Sequence, residues 1–377
     1  MRLKKNRILT ALVMLLTTVL VLSACGGEEQ QEANAAKDST NNQSNETSNE
    51  SSEQVEEKDD SGAVNLYTSR HYDSDNELFA TFTEQTGIEV NVVQGDSDEL
   101  IERLNREGEA TEADLFFTAD AGRLFRAKDA GLLQAVENET ITNNIPESLR
   151  DTDNQWFGLT KRARVFVYAN DRVDESELST YEALTEEKWQ GRVLIRSSEN
   201  IYNQSLLASI IELNGADAAN EWASGIVENM AREPQGGDRD QAKAIASGEG
   251  DIAVINTYYF GNMLNSEDPE EVKVAEGLSL FFPNQETTGT HINVSGLGVT
   301  KHAKNKDNAI KLIEFLSSEE AQGRFAEANY EYPVNPNAEV SELLKSWGEF
   351  KAQDLNLTKL GENNAEAVMI LNEVGWK

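Results

Sequence analysis

Apolar residues in the middle of the chain recur with strand and helix periods in alternation. Val64 to Thr68 has the pattern of a buried strand, and Asp73 to Thr86 has the period of a helix that Gly87 ends. The elements that follow are a strand at Ile88 to Val93, a helix from its predicted cap Ser97 to Gly108, a strand at Ala113 to Thr118 and a helix at Ala121 to Asp129. Strands alternating with helices predict an α/β fold with a mainly parallel sheet covered on both faces.

A similar alternation begins again after Trp156. It predicts strands at Val165 to Tyr168, Val193 to Ile195 and Asp251 to Asn256, with helices around Gln204 to Leu213, Asp217 to Asn229 and Asp240 to Ala246. Gly277 to Val299 would return the chain to the first lobe, and two helices then follow at Lys306 to Phe315 and Ser318 to Asn329, with Ser317 and Glu320 as a capping box. Two crossings between two α/β lobes describe a hinged clamshell whose cleft is the natural ligand site.

The lobe boundaries follow from the same pattern. The chain beyond Asp60 exceeds what one hydrophobic core usually holds, which favours two lobes. We expect residues 61–158 and 284–377 to form lobe 1 and residues 159–283 to form lobe 2.

The first 60 residues have a different character. Four basic residues and the apolar run Ile8 to Leu22 predict a signal peptide over residues 1–24. The small residues before Cys25 resemble the lipobox of bacterial lipoproteins, so Cys25 is the expected lipidation site. Residues 25–60 are almost wholly acidic or polar and predict a disordered tether. We therefore expect an exported protein, lipid-anchored to the outer face of the cytoplasmic membrane.

Charge and cysteine content exclude several classes of function. The formal net charge is -34, so the basic surface that nucleic acid requires is missing. Cys25 is the only cysteine in the chain, which excludes disulfides, zinc-thiolate sites, iron-sulfur clusters and a cysteine nucleophile from the folded body. A Gly-x-Ser-x-Gly elbow and a His-Glu-x-x-His motif are also absent, so we do not expect an enzyme.

The candidate chemistry lies in three short motifs: Arg70-His71-Tyr72, Tyr202-Asn203-Gln204-Ser205 and Thr257-Tyr258-Tyr259. Phenolate is a compact anionic oxygen donor, suited to a hard trivalent cation. Neighbouring tyrosines can reach one ion only where the backbone is irregular, and we expect the last motif in the turn after the strand that ends at Asn256. Each motif alone also fits a simpler interpretation, namely core packing, helix capping or a surface histidine.

Taken in order, these motifs resemble those of the ferric-ion substrate-binding proteins of bacterial ABC transporters, in the branch with His-Tyr near the N-terminus and Tyr-Tyr in the second lobe. The matching segments are residues 65–72, 161–164, 201–205, 256–259 and 289–296. The resemblance implies a type II periplasmic-binding-protein fold and an Fe(III) cargo held by His71, Tyr72, Tyr202, Tyr258 and Tyr259. It also implies a membrane permease with its ATPase as partners, and we expect a monomer.

The charge of such a site needs a counterpart. Four phenolates and a neutral imidazole around Fe(III) sum to minus one, which Arg162 or Arg70 could balance directly. Either arginine could also hold an anion such as carbonate. For Arg162 an inter-lobe salt bridge at the hinge is the simpler interpretation, so it stays outside the predicted ligands. An organic cation, a phosphonate or a sugar in an aromatic stacking box is the alternative ligand class.

Overall fold

The computed structural model describes residues 62–377. The predicted signal peptide, Cys25 and the acidic tether lie outside the described residues, and so does residue 61. Among the described residues, no helix is long and apolar enough to cross a membrane.

Nine strands in this range form one curved sheet. They are β1 (Ala63–Thr68), β2 (Glu89–Gln94), β3 (Leu115–Ala119), β4 (Phe157–Ala169), β5 (Val193–Leu194), β6 (Ile252–Asn256), β7 (Leu278–Phe281), β8 (Ile292–Val299) and β9 (Tyr332–Pro333). The order across the sheet is β2-β1-β3-β8-β4-β6-β5, and β7 and β9 also pair with β4.

Fourteen α-helices accompany the strands in the same range. They are α1 (Asp73–Thr86), α2 (Ser97–Glu107), α3 (Ala121–Asp129), α4 (Glu139–Asn144), α5 (Ile201–Asn214), α6 (Ala216–Asn229), α7 (Asp238–Ala246), α8 (Thr257–Leu264), α9 (Pro269–Glu276), α10 (Lys306–Leu316), α11 (Glu319–Asn329), α12 (Glu342–Ser346), α13 (Thr358–Glu362) and α14 (Asn364–Glu373). The α/β class expected from the sequence is confirmed.

The sheet is mixed where the sequence predicted a mainly parallel one. Strands β1, β2 and β3 pair in parallel, as do β5 and β6, because helices connect them. Every pairing that involves β4 or β8 is antiparallel. These two central strands carry the chain between the halves of the molecule in opposite directions, so they cannot lie parallel to each other.

Strand β4 is much longer than the predicted segment Val165 to Tyr168 and serves both halves of the sheet. Its first part pairs with β8 as far as the Ala163–Ile292 pair. Its second part begins with the Arg164–Asn256 pair and continues along β6. We call β1, β2, β3 and β8 the first half-sheet and β5, β6 and β7 the second half-sheet. The change of partner after Ala163 therefore marks one crossing, and the chain returns between β7 and β8.

Two helix starts differ by one residue from the sequence prediction. The side chain of Asp96, and not that of Ser97, accepts the N–H groups of Asp98 and Glu99 at the start of α2. Likewise Ser318 caps α11, whereas Ser317 follows the end of α10. In both cases two capping residues are adjacent, and the sequence alone does not choose between them.

Apolar side chains fill both faces of the second half-sheet. On one face, Phe166, Tyr168 and Val254 pack with Trp376 and with residues of α5, α6 and α14. On the other face, Val165, Ala253 and Ile255 belong to the main hydrophobic core. Helix α14 belongs to the C-terminal segment assigned to lobe 1, and its buried residues pack against α5 and α6. Helix α13 contacts α3 and α5, so the C-terminal segment touches both halves of the molecule. The lobe boundaries stay a prediction.

Candidate metal-binding cleft

A cavity of about 210 Å³ lies between the two half-sheets, at the carboxyl ends of β1, β2, β3 and β6. Its walls include all seven residues that the sequence selected as ligands or counter-charges, together with Ser69, Asp96, Ser97, Arg123, Ser295 and Glu331. The selected seven are His71, Tyr72, Tyr202, Tyr258, Tyr259, Arg70 and Arg162. Side chains separated by almost 190 residues are thus brought to one point by the sheet topology.

The four tyrosines stand at the starts of three helices. Tyr72 is the residue before α1, Tyr202 is the second residue of α5, and Tyr258 and Tyr259 are the second and third residues of α8. The expected irregular backbone at Tyr258-Tyr259 was wrong, because both lie in a regular first turn. A helix N-terminus carries partial positive charge and unpaired N–H groups, and three of them here favour anionic oxygen in the cleft.

The phenol groups of the second half-sheet are in mutual contact. The hydroxyls of Tyr202 and Tyr258 are 3.2 Å apart, and the ring centroids of Tyr258 and Tyr259 are 4.2 Å apart with an interplanar angle of 33°. On the facing wall, the His71 and Tyr72 rings stack at 5.2 Å. His71 is exposed, Tyr258 is buried and the other three tyrosines are partly buried. Each wall therefore offers oxygen donors before any ligand arrives.

Burial keeps the phenols of Tyr72, Tyr258 and Tyr259 protonated. Burial raises the pKa of Tyr258 well above its usual value, and the neighbouring Tyr202 and Tyr259 add to the effect. Burial, followed by the charge of Glu331, raises the pKa of Tyr72. Burial and Tyr202 raise the pKa of Tyr259 to about 12. Phenolate forms here only when a cation enters and displaces the protons.

Arg70 is fully engaged by carboxylates. Its guanidinium donates to both oxygens of Asp75, at 2.7 and 2.9 Å, and to Glu331 at 3.0 Å. The same group lies 4.8 Å from the centroid of the Tyr72 ring. Arg70 therefore helps to hold the Tyr72 ring in position, and two carboxylates, Asp75 and Glu331, neutralise its positive charge.

Arg162 has unused donors. It is 1% exposed, donates one hydrogen bond to Ser295 at 3.3 Å, and lies 3.9 Å from a carboxylate oxygen of Asp120. Its Nε and Nη2 atoms have no hydrogen-bond partner among residues 62–377. The guanidinium carbon is 5.3 Å from the centroid of the Tyr202 ring, so a buried positive charge adjoins the phenol cluster.

Two acidic residues near the cleft were missed by the sequence reasoning. Asp120 accepts hydrogen bonds from Ser205 on α5 and from Asn293, each at 2.8 Å, and so links α3 to α5. It directly follows β3, and this strand-end position could have found it. Glu331 follows α11 and accepts from Thr160 at 2.8 Å. Its neighbouring sequence carries no signal of this role. Within residues 62–377, no group of three or more His, Cys, Asp or Glu side chains is arranged to hold a metal ion.

The two half-sheets joined by crossing strands, with a polar cleft between them, define a solute-binding clamshell. Residues 77–352 match the family of bacterial extracellular solute-binding proteins, and the chain belongs to that family. The family consists of solute-binding transport proteins, the substrate-binding components of ABC importers, and not of enzymes.

Several individual relatives of this chain are iron-uptake or iron-binding proteins. Over 314 residues the chain is 52% identical to iron uptake protein A1 of Synechocystis, covering 83% of this chain and 87% of the relative. The structure of a Trichodesmium protein, IdiA or FutA, in complex with iron and citrate superimposes with a TM-score of 0.82 at 50% identity, covering 84% of this chain and all of the other. A ferric binding protein from Campylobacter jejuni gives a TM-score of 0.79 at 44% identity, covering 83% of this chain and all of the other. The family resemblance and the type II fold expected from the sequence are confirmed.

Proposed function

We propose that this protein captures Fe(III) outside the cytoplasm and delivers it to a membrane permease of an ABC importer. The ligands are Tyr72 and His71 on one wall of the cleft and Tyr202, Tyr258 and Tyr259 on the other. The observation that carries the proposal is the convergence of four phenols from three helix starts on one cavity, two of them with hydroxyls 3.2 Å apart. The iron-related names of the relatives support the choice of cargo.

The ion closes the cleft because it binds both walls at once. A cation that contacted one wall only would have no preference between open and closed forms and would move nothing. Release occurs when the permease separates the walls, aided by protonation of the phenolates. Arg162 is a buried cation beside the phenols and offsets the surplus negative charge of four phenolates around Fe(III). Its free N–H groups can instead hold a small anion such as carbonate, which would take the place of phenolate ligands on the ion.

The decisive experiment is a titration of the iron-free protein with ferric citrate. Binding through phenolate produces a visible charge-transfer band that saturates at one iron per chain. Gallium(III), of the same charge, should compete with iron and give no visible band. A protein that shows no band, or that retains an organic ligand through dialysis in place of iron, contradicts the proposal.

The protein acts as a monomer held at the outer face of the cytoplasmic membrane by lipid on Cys25. Support comes from the sequence, where small residues precede a single cysteine after an apolar run. Replacing Cys25→Ala should move the protein from the membrane fraction to the soluble exported fraction. Retention in the membrane fraction would contradict the anchor while leaving the iron site untouched.

A further inference from the structure

A buried ionic network lies directly behind the tyrosines of the second half-sheet. Its central members, Arg164 on β4 and Asp238 at the start of α7, are each 1% exposed. The two side chains meet at 3.2 Å between Nη1 and Oδ2. Neither residue lines the cavity, so the pair does not contact the proposed cargo.

Arg164 joins the two tyrosine motifs of this wall. Its Nη2 atom donates to the Asn203 side chain at 2.7 Å, and its Nη1 atom also donates to the Asn256 side chain at 3.2 Å. Asn203 follows Tyr202 in the chain, and Asn256 stands two residues before Tyr258. One planar guanidinium therefore fixes the separation of the starts of α5 and α8.

Asp238 closes the network on its other side. Its Oδ2 atom accepts the backbone N–H of Asn256 at 2.8 Å, and its Oδ1 atom accepts from Arg196 at 3.4 Å. The backbone carbonyl of Arg196 in turn accepts from the Asn203 side chain at 2.7 Å. The Arg196 guanidinium lies 5.6 Å from the centroid of the Tyr202 ring. The network therefore connects the start of α5, which carries Tyr202, to the start of α8, which carries Tyr258, through side-chain and backbone hydrogen bonds.

We propose that Arg164 and Asp238 are positioning residues that preassemble the three phenols of the second half-sheet for the metal. The inference rests on the proposed iron-binding function. A buried ion pair is weak evidence for stability, because desolvation offsets most of its attraction, so stability alone does not account for this network. Groups that orient metal ligands from behind keep them within a few tenths of an ångström of productive geometry.

The test compares Arg164→Lys with a matched control in the same half-sheet. Lysine retains the charge but cannot span Asn203, Asn256 and Asp238 with one ammonium group. Affinity for ferric iron, measured by competition with citrate, should fall about tenfold or more, and the visible phenolate-to-iron band should shift. Asp251→Asn is the control, since Asp251 also accepts from two arginines, Arg172 at 2.7 Å and Arg192 at 2.6 Å, away from the cleft.

The control separates positioning from general stability. Asp251→Asn should lower the thermal midpoint yet leave iron affinity and the band unchanged. If Arg164→Lys does not fold, Asn203→Ser removes the side-chain amide that accepts from Arg164 and donates to the Arg196 carbonyl, and it should show the same shifted band. Iron affinity and a band equal to those of the unaltered protein in the folded variant would overturn the positioning role, as would an equal loss of affinity in Asp251→Asn.

A double-substitution cycle locates the effect on one wall. Combined with Tyr202→Phe, Arg164→Lys should cost less affinity than the sum of the single changes, because both act on the same phenol cluster. Combined with Tyr72→Phe on the opposite wall, the losses should add. Additive losses with Tyr202→Phe would contradict the inference. If the unaltered protein binds no iron, the proposed function fails. If the unaltered protein and Arg164→Lys bind iron equally well, only the positioning role fails.

Discussion

Phenol is a more suitable resting ligand for this cleft than carboxylate. Four carboxylates within one cavity would repel one another and would each lose solvation, whereas tyrosines with raised pKa values remain neutral until a cation arrives. In the wall of the cleft, the Arg70 guanidinium has carboxylate partners on two sides, Asp75 and Glu331. Selectivity for a highly charged cation follows, because a weakly charged one cannot offset the release of several protons.

Tyr258→Phe tests whether the hydroxyl or the ring matters. The ring packing against Tyr259 is preserved, but one oxygen donor is removed, so iron affinity should fall by more than the roughly 10- to 100-fold that substitutions behind metal ligands usually cost. Citrate competition followed at the visible band measures the loss. Tyr67→Phe is the control, because the Tyr67 hydroxyl donates to Glu107, at 3.2 and 3.3 Å, and Tyr67 does not line the cavity. Unchanged iron affinity in Tyr258→Phe would show that the Tyr258 hydroxyl is not an iron ligand and that this residue contributes only its ring.

At the level of helices and strands, periodicity predicted the first half of the molecule closely. Helices α1 and α3 have the predicted limits, since each has one apolar face and a clear end. The predicted strand was shorter than β4 because Lys161, Arg162 and Arg164 interrupt the apolar run. Arg162 and Arg164 are nevertheless buried in the structure, among partners that are distant in sequence. The convergence of the tyrosines was predictable from the strand-end rule, but the contacts of Glu331 and Asp238 depend on pairings that no local pattern carries.

The cap of α2 offers a test of a single element. Asp96→Ala removes the side chain that accepts the Asp98 and Glu99 N–H groups, and the free energy of unfolding should fall by about 1 kcal/mol. Chemical denaturation gives the value. Asp217→Ala provides the comparison, because Asp217 lies in the first turn of α6 without serving as its cap. Equal losses in both variants would assign the effect to helix-dipole charge and not to the capping bond.

Across the whole molecule, the crossing before β8 contains a buried histidine that should make the protein sensitive to acid. Burial lowers the pKa of His291 from 6.5 to about 3, and its ring contacts Gln353 at 3.1 Å. The unfolded chain therefore binds the proton more readily than the folded one between these two values. Stability from the neutral ring is complete above pH 6.5 and is lost as the pH falls toward 3, by about 1.4 kcal/mol for each pH unit.

His291→Gln should remove this part of the acid sensitivity while retaining a polar partner for Gln353. The measurement is the free energy of unfolding of both proteins from pH 7 to pH 4. The two curves should converge at low pH, since the variant lacks the group that takes up the proton. Parallel curves over that range would show that the folded protein accommodates the charged ring.

The segment around Trp376 packs against helices of the second half-sheet. Trp376 is 3% exposed, its ring lies 6.0 Å from that of Trp222 on α6, and its indole N–H donates to the Arg196 carbonyl at 3.0 Å. Trp376→Ala should therefore lower the free energy of unfolding by about 3 to 5 kcal/mol, the usual cost of emptying a buried aromatic site. Lys377→Ala, which removes an exposed pair with Glu233, should leave the denaturation midpoint unchanged. The Arg196 carbonyl is also part of the network behind Tyr202, so Trp376→Ala should weaken iron binding as well. A variant that lost stability but kept its iron affinity would show that the C-terminal contacts and the cleft are independent.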